Sequence, residues 1–251
     1  MARKRTLHRV PQYIALVFFL LLFLYPIVWL VINSFKTKAE LFASPWTLPS
    51  SLEWDNYRRA VVDGNIGRYF VNSSIVAFAV VTCATLLSAM AAYGLTRLKW
   101  KLSKLVLSIF LLGMMIPAHA TIVPLFSIFS VIGINNTYLA VIVPHVVFAM
   151  PIAICVLSGF LSTIPRELEE AAVIDGCTIP KAFFGVICPI SAPSLVTVAV
   201  ITFITAWNDL VFPQIFLSDP NITTLPVGLT AFKGRYSTDY TGMIIFYILR
   251  I

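Results

Sequence analysis

From Leu105 to Pro165 the chain runs for 61 residues without one Asp, Glu, Lys or Arg, and from Ala182 to Asn208 for 27 more. A charge at the centre of a membrane helix costs about 2.5–3.5 kcal/mol, so runs this long mark segments built for hydrocarbon. Only 12% of the residues are charged, against about 25% in soluble domains. Roughly 20 apolar residues suffice to cross a bilayer, and uncharged stretches of that order begin at Gln12, Phe70, Leu105, Thr137 and Ala182. Lipid offers the backbone no partner, so a span must close its hydrogen bonds as a helix or a barrel. The runs lack the alternation of barrel strands, which leaves helices. The expectation is an all-α polytopic membrane protein with five full transmembrane helices and a short sixth.

The spans are expected at about 12–34, 69–95, 104–130, 137–161 and 183–207. Pro117 and Pro124 should kink the third, and the fourth holds Pro144 and Pro151. The first run is too long for a cleaved signal and lacks a small-x-small site at its end. A mixed-charge loop, about 35–68, carries Trp46 and Trp54, which suit a membrane interface. Gly133-Ile134-Asn135-Asn136 and Asp219-Pro220-Asn221 read as turns. The last apolar stretch, Thr241 to Leu249, is about half a span by the 20-residue criterion, so the sixth helix is expected to be truncated or re-entrant. The division is therefore 1–68 (tail, first helix and loop) and 69–251 (core), with the charged loop 162–185 inside the core.

The net charge of +7 does not point to nucleic acid, because the basic residues are scattered at the ends of apolar runs. With the N-terminus inside, inner segments hold ten of them (Arg3, Lys4, Arg5, Arg9, Arg97, Lys99, Lys101, Lys104, Arg166 and Lys181). Outer segments hold seven (Lys36, Lys38, Arg58, Arg59, Arg68, Lys233 and Arg235). That excess favours a cytoplasmic N-terminus. Arg97, Lys99, Lys101 and Lys104 read as an inner-leaflet anchor. Cys83, Cys155, Cys177 and Cys188 lack metal-ligand spacing and read as small buried hydrophobes.

The most informative polar segment is Pro165–Pro180. Pro165 can open a helix. Glu167, Glu169 and Glu170 then fall in its first turns, where the helix dipole favours negative charge. Leu168, Ala171 and Ala172 form a narrow apolar stripe on which alanine lets another backbone come close. Gly176 stands where a helix would end in a left-handed residue, and Pro180 can open the next helix. The pattern predicts a short helix, a hard turn and a second helix at the cytoplasmic face; a plain solvated loop is the alternative.

Glu170-Ala171-Ala172-x-x-Asp175-Gly176, followed by Phe183, Val186, Pro189 and Pro193, resembles the EAA loop of ABC importer permeases. The family pattern runs from the glycine through nine residues to an aliphatic residue, then a proline three further on; Val186 and Pro189 keep that spacing, and Cys188 replaces the commoner leucine. Asn33-Ser34, Ala91-Ala92-Tyr93-Gly94-Leu95-Thr96-Arg97, Trp207-Asn208-Asp209 and Leu225-Pro226-Val227-Gly228-Leu229 extend the likeness to the MalG-type subunits of carbohydrate importers. Family members normally complete a sixth span, and this chain stops before one. The resemblance implies a type I ABC importer permease fold in a bacterial inner membrane, importing sugars or related polyols. Glu170, Ala171, Ala172, Asp175, Gly176 and Pro189 would then build the coupling element. Its implied partners are a second permease subunit, an ABC ATPase dimer on the cytoplasmic side and an extracytoplasmic solute-binding protein facing the loop around Pro213–Tyr240, with lipid around the helices. It implies no cofactor.

His119 and His145 lie in adjacent spans, and Asp209 stands at an expected span end. Two lone histidines are more often packed than metal ligands, but ionisable groups at membrane depth are candidates for a substrate pathway. No Gly-x-x-x-x-Gly-Lys-Ser loop occurs, so any ATP hydrolysis belongs to another chain. No Ser/His/Asp set or carboxylate pair suggests an enzyme. The rival expectations are an ion-driven secondary transporter, a redox protein using His119 and His145, and an inactive truncated paralogue.

Overall fold

The computed structural model describes residues 10–98, 100–232 and 239–250. Arg3, Lys4, Arg5, Arg9, Lys99, Lys233 and Arg235 from the charge argument lie outside these. All regular structure among the described residues is helical. In chain order the elements are α1 (Val10–Ser34), α2 (Lys38–Ala43), α3 (Asp55–Val62), α4 (Ile66–Thr96), α5 (Ser103–Gly113), a 3-10 turn (Ala118–Thr121), α6 (Ile122–Ile132), α7 (Tyr138–Leu161), α8 (Glu167–Ile174) and α9 (Ile179–Ala182). A π turn (Phe183–Ile187), α10 (Cys188–Ile190), α11 (Ala192–Asn208), α12 (Val211–Phe216), α13 (Leu225–Ala231) and α14 (Tyr240–Arg250) complete it.

Among the described residues three helices are long and apolar enough to cross a membrane: Pro11–Ser34, Ile66–Thr96 and Tyr138–Leu161. Two bent pairs raise the number of spans to as many as five, Ser103–Gly113 with Ala118–Ile132 (88°) and Ile179–Ile190 with Ala192–Asn208 (79°). The protein is therefore a multi-pass membrane protein. The expected third span is broken rather than kinked. The residue before a proline avoids the helical region, so the chain leaves the helix ahead of Pro117, which is extended at ψ 115°. Pro124 falls in the first turn of α6, where it removes no intrahelical bond, and it bends nothing. The fifth span, expected to be continuous, bends at Ser191. Pro189 has no N–H to offer the Gly185 carbonyl and its ring crowds that group, and the helix widens there into the π turn, with Cys188 N–H bonding Phe183 O.

Two compact units are present, Met1–Tyr69 with Leu225–Ile251, and Phe70–Thr224, and each is described by itself. In the first, α14 packs on α1, α3 and α13, and buries Ile245 and Phe246. The ring of Phe246 meets Tyr69 and Phe232 at centroid distances of 6.4 and 4.8 Å. A Cβ on Gly228 would run into the Tyr69 ring, which accounts for the glycine in Leu225–Leu229. Segment 35–68 is no plain loop. Asn56 donates to Ser34 O and Lys36 O, both at 2.9 Å, and buried Lys36 donates to Ser44 O at 2.8 Å. Among the described residues, none in the most apolar window of α1 is buried.

In the second unit α7 is the central column, packed by α5, α11 and α12. Its buried residues Ala140, Pro144, Pro151, Ile154, Ser158 and Leu161 recur at helical spacing on one face. Leu157, Leu161, Phe183 and Ile187 share one core cluster with Ala92 and Tyr93 of α4. Val80, Phe129, Val141, Phe212 and Phe216 form a second. Cys83 and Cys155 are exposed rather than buried, because an apolar side chain in a membrane span is equally at home facing lipid.

Candidate functional site

The helix expected at Pro165–Asp175 is α8, starting two residues later than Pro165 would allow. Glu167, Glu169 and Glu170 occupy its first turn. Its end is a Schellman turn: Cys177 N–H bonds Ala172 O at 2.9 Å and Gly176 N–H bonds Val173 O at 3.0 Å. Gly176 sits at φ +81°, where a residue with a Cβ is strained. Asp175 is the C-cap, Thr178 stands at the N-cap position of α9 without a side-chain cap bond, and Pro180 stands in its first turn. Of the expected apolar stripe only Ala172 is buried; Ala171 and Glu170 face outward. The exposed apolar surface is broader than that stripe. Leu168, Val173 and Ile174 are 42%, 58% and 84% exposed. Pro189 is not part of this turn and shapes the later bend.

α8 is fastened to α4 by one side chain. The guanidinium of Arg97 donates through Nη2 to Ile164 O at 2.7 Å. Its Nε lies 3.0 Å from Glu169 Oε1, with the two side chains 4% and 17% exposed. That second contact is an ion pair rather than an aligned hydrogen bond. Arg97 is therefore not a lipid-headgroup anchor: it is buried against protein because a carboxylate and a carbonyl await it there. Lys101 and Lys104 do stand exposed. The only hint of this pair in the sequence is that α8 carries three acidic residues in its first turn and no basic residue in its last, so its charges need partners elsewhere.

The three residues singled out at membrane depth converge. His119, His145 and Asp209 line one cavity of about 350 Å³ together with Thr202, Asn208 and Phe212. Val141 O, 2.8 Å from His145 Nδ1, can only accept, so Nδ1 carries hydrogen and Nε2 faces Asp209 Oδ2 at 3.3 Å. The Asp209 carboxylate also accepts from Val211 N and Phe212 N at 3.2 and 3.1 Å, capping α12. Phe212 is the aromatic wall, with its ring 5.9 Å from His119 and 5.3 Å from His145. Sequence patterning did not mark Phe212, one phenylalanine among 19. Among the described residues no group of three His, Cys, Asp or Glu is arranged to hold a metal.

The loop after α12 is tied down by two asparagines. Asn136 Oδ1 accepts from Ser218 N and Asp219 N, both at 2.8 Å. Asn72, 5% exposed, donates to Asn221 O at 2.9 Å and Thr223 O at 2.8 Å, and accepts from Tyr138 Oη at 2.8 Å.

Residues 84–251 match the model of the family described as binding-protein-dependent transport system inner membrane component. The chain is 37% identical over 238 residues to the probable ABC transporter permease protein YurM of Bacillus subtilis, covering 95% of this chain and 79% of the relative. It is 33% identical over 247 residues to the trehalose/maltose transport system permease protein MalG of Thermococcus litoralis, covering 97% and 88%. Its fold is similar to a chain in the crystal structure of a bacterial ABC transporter involved in the import of the acidic polysaccharide alginate, with a TM-score of 0.82 at 18% identity, covering 99% and 92%.

Proposed function

The chain belongs to the family of binding-protein-dependent transport system inner membrane components, and on that premise we propose that it is a permease subunit of an ATP-driven importer of sugars or related polyols, coupled to its ATPase through α8. It pairs with a second, similar permease, takes an ATPase dimer on the cytoplasmic side and receives solute from an extracytoplasmic binding protein. The observation that carries the coupling assignment is α8 itself. An eight-residue helix in water is marginal alone, yet this one is held, turned sharply by Gly176 and left with Leu168, Val173 and Ile174 bare. An apolar tip of that kind beside Glu170 suits insertion into a groove of a soluble partner.

The topology is consistent with this. Counting each bent pair as one crossing, the chain crosses at α1, α4, α5–α6 and α7 before it reaches α8. With an even number of crossings α8 would lie on the side of the N-terminus, and the excess of basic residues in the inner segments supports a cytoplasmic side for both. The cavity of His119, His145 and Asp209 would contribute to the solute path. The relatives bearing on the cargo are named for trehalose/maltose and diacetylchitobiose, which supports a saccharide or polyol.

Ile174→Asp tests the coupling assignment. Burying one isoleucine contributes about 1.5–3 kcal/mol, and a carboxylate in its place adds a desolvation cost. The variant should insert normally yet fail to co-purify with the ATPase subunits; retention of a full complement of ATPase would refute the assignment.

A further inference from the structure

Taking α8 as the coupling helix, we propose that Arg97 is the positioning residue that makes α8 and the end of α4 move as one body, so that displacement of α8 is passed into the second span. Three observations carry this. First, α8 buries a single residue, Ala172, and it packs on α9 and the π turn rather than on a membrane span. Second, one guanidinium touches two consecutive parts of the element, the Ile164 carbonyl in the turn that leads into α8 and the Glu169 carboxylate within it. A planar fork held at two points fixes direction as well as distance, whereas a lysine ammonium would hold only a distance. Third, the far side of the Gly176 turn is gripped by the same stretch of α4. Tyr93, one helical turn before Arg97, meets the ring of Phe183 at a centroid distance of 5.0 Å. Both arms of the helix-turn-helix are therefore fastened to residues 93–97.

A pair that served only to hold the fold would look much the same at rest, so the test must read motion. In the importer purified with its ATPase subunits and placed in lipid, Thr205→Cys on the cavity wall reports access to a soluble maleimide, scored over the parent chain with its 4 native cysteines. Trapping with ATP and vanadate should change that labelling. Glu169→Gln, isosteric with the native side chain, and Arg97→Lys should both keep the ATPase subunits bound. The ATP-driven change in labelling should nevertheless shrink about fivefold or more, the low end of ordinary coupling between sites.

A full labelling change in Glu169→Gln would overturn the proposal. Loss of the ATPase subunits from Glu169→Gln would overturn it too, by making the pair a docking or folding contact. Ile174→Asp separates the two levels. If it retains its ATPase the coupling assignment itself fails, and if it loses the ATPase while Glu169→Gln still responds to ATP only the role of Arg97 fails.

Discussion

Replacing Gly176 tests the turn in a graded way. A Cβ there would meet no atom within 4 Å, so no clash contributes and the whole effect comes from holding φ at +81°. For an ordinary residue that costs about 1–2 kcal/mol, less for Asn, which visits the left-handed region readily, and more for a β-branched side chain. The strain cannot be shared with a membrane span. It is relieved most cheaply by opening the last turn of α8, where the two Schellman bonds at Gly176 and Cys177 follow the Asp175 N–H bond to Ala171 O. A change of 1–2 kcal/mol is a factor of about 5–30 in an equilibrium. Amide exchange at residues 173–177 of the full chain in lipid should therefore speed up by about that factor in Gly176→Ala, with the spans unaffected. The order should be Gly, Asn, Ala, Val from slowest to fastest. Asp is close in shape to Asn but sets a second carboxylate beside Asp175 at the negative end of the helix, an added cost of about 0.3–1 kcal/mol. Retention of the ATPase should follow the same order. Exchange in the Val variant no faster than in the native chain, or Asn as harmful as Val, would refute the account.

Asn72→Ala removes three hydrogen bonds, one buried and two part-buried, and should cost up to about 3 kcal/mol at roughly 1 kcal/mol each, visible as a lower Tm of the purified protein and faster proteolysis near residue 221; an unchanged Tm would contradict it. Asp209→Ala should lose about 1 kcal/mol through the missing cap of α12. Asp209→Asn keeps one of the two side-chain acceptors for that cap and should lose less than Asp209→Ala; thermal unfolding in one detergent compares the two.

What can be read from the chain and what cannot divide by distance along it. The end of α8 was legible because a glycine after a helical stripe is a local signal, and so were the long helices, since lack of charge is one as well. The partner of Arg97 was not: Arg97 and Ile164 are 67 residues apart, and a basic residue at the end of an apolar run reads equally as a headgroup anchor. Segment 35–68 looked like a loop because its two short helices depend on Asn56 and on packing against α14. His119, His145 and Asp209 could be picked singly by chemistry, but only the meeting of α7, the 3-10 turn and the α11–α12 junction brings them to one wall. The prolines were visible, yet whether each breaks, bends or opens a helix depends on its position within the turn, as Pro117, Pro189 and Pro124 show in that order.

The double tether of residues 218–223 bears on encounter kinetics. Most surface loops must surrender conformational freedom when a visitor lands, at about 0.5–1.5 kcal/mol for each long side chain immobilised. Here Asn72 and Asn136 have frozen the main chain beforehand. A protein alighting on this loop would find its landing shape ready-made, and variants along it should alter how long the visitor stays rather than how often it arrives.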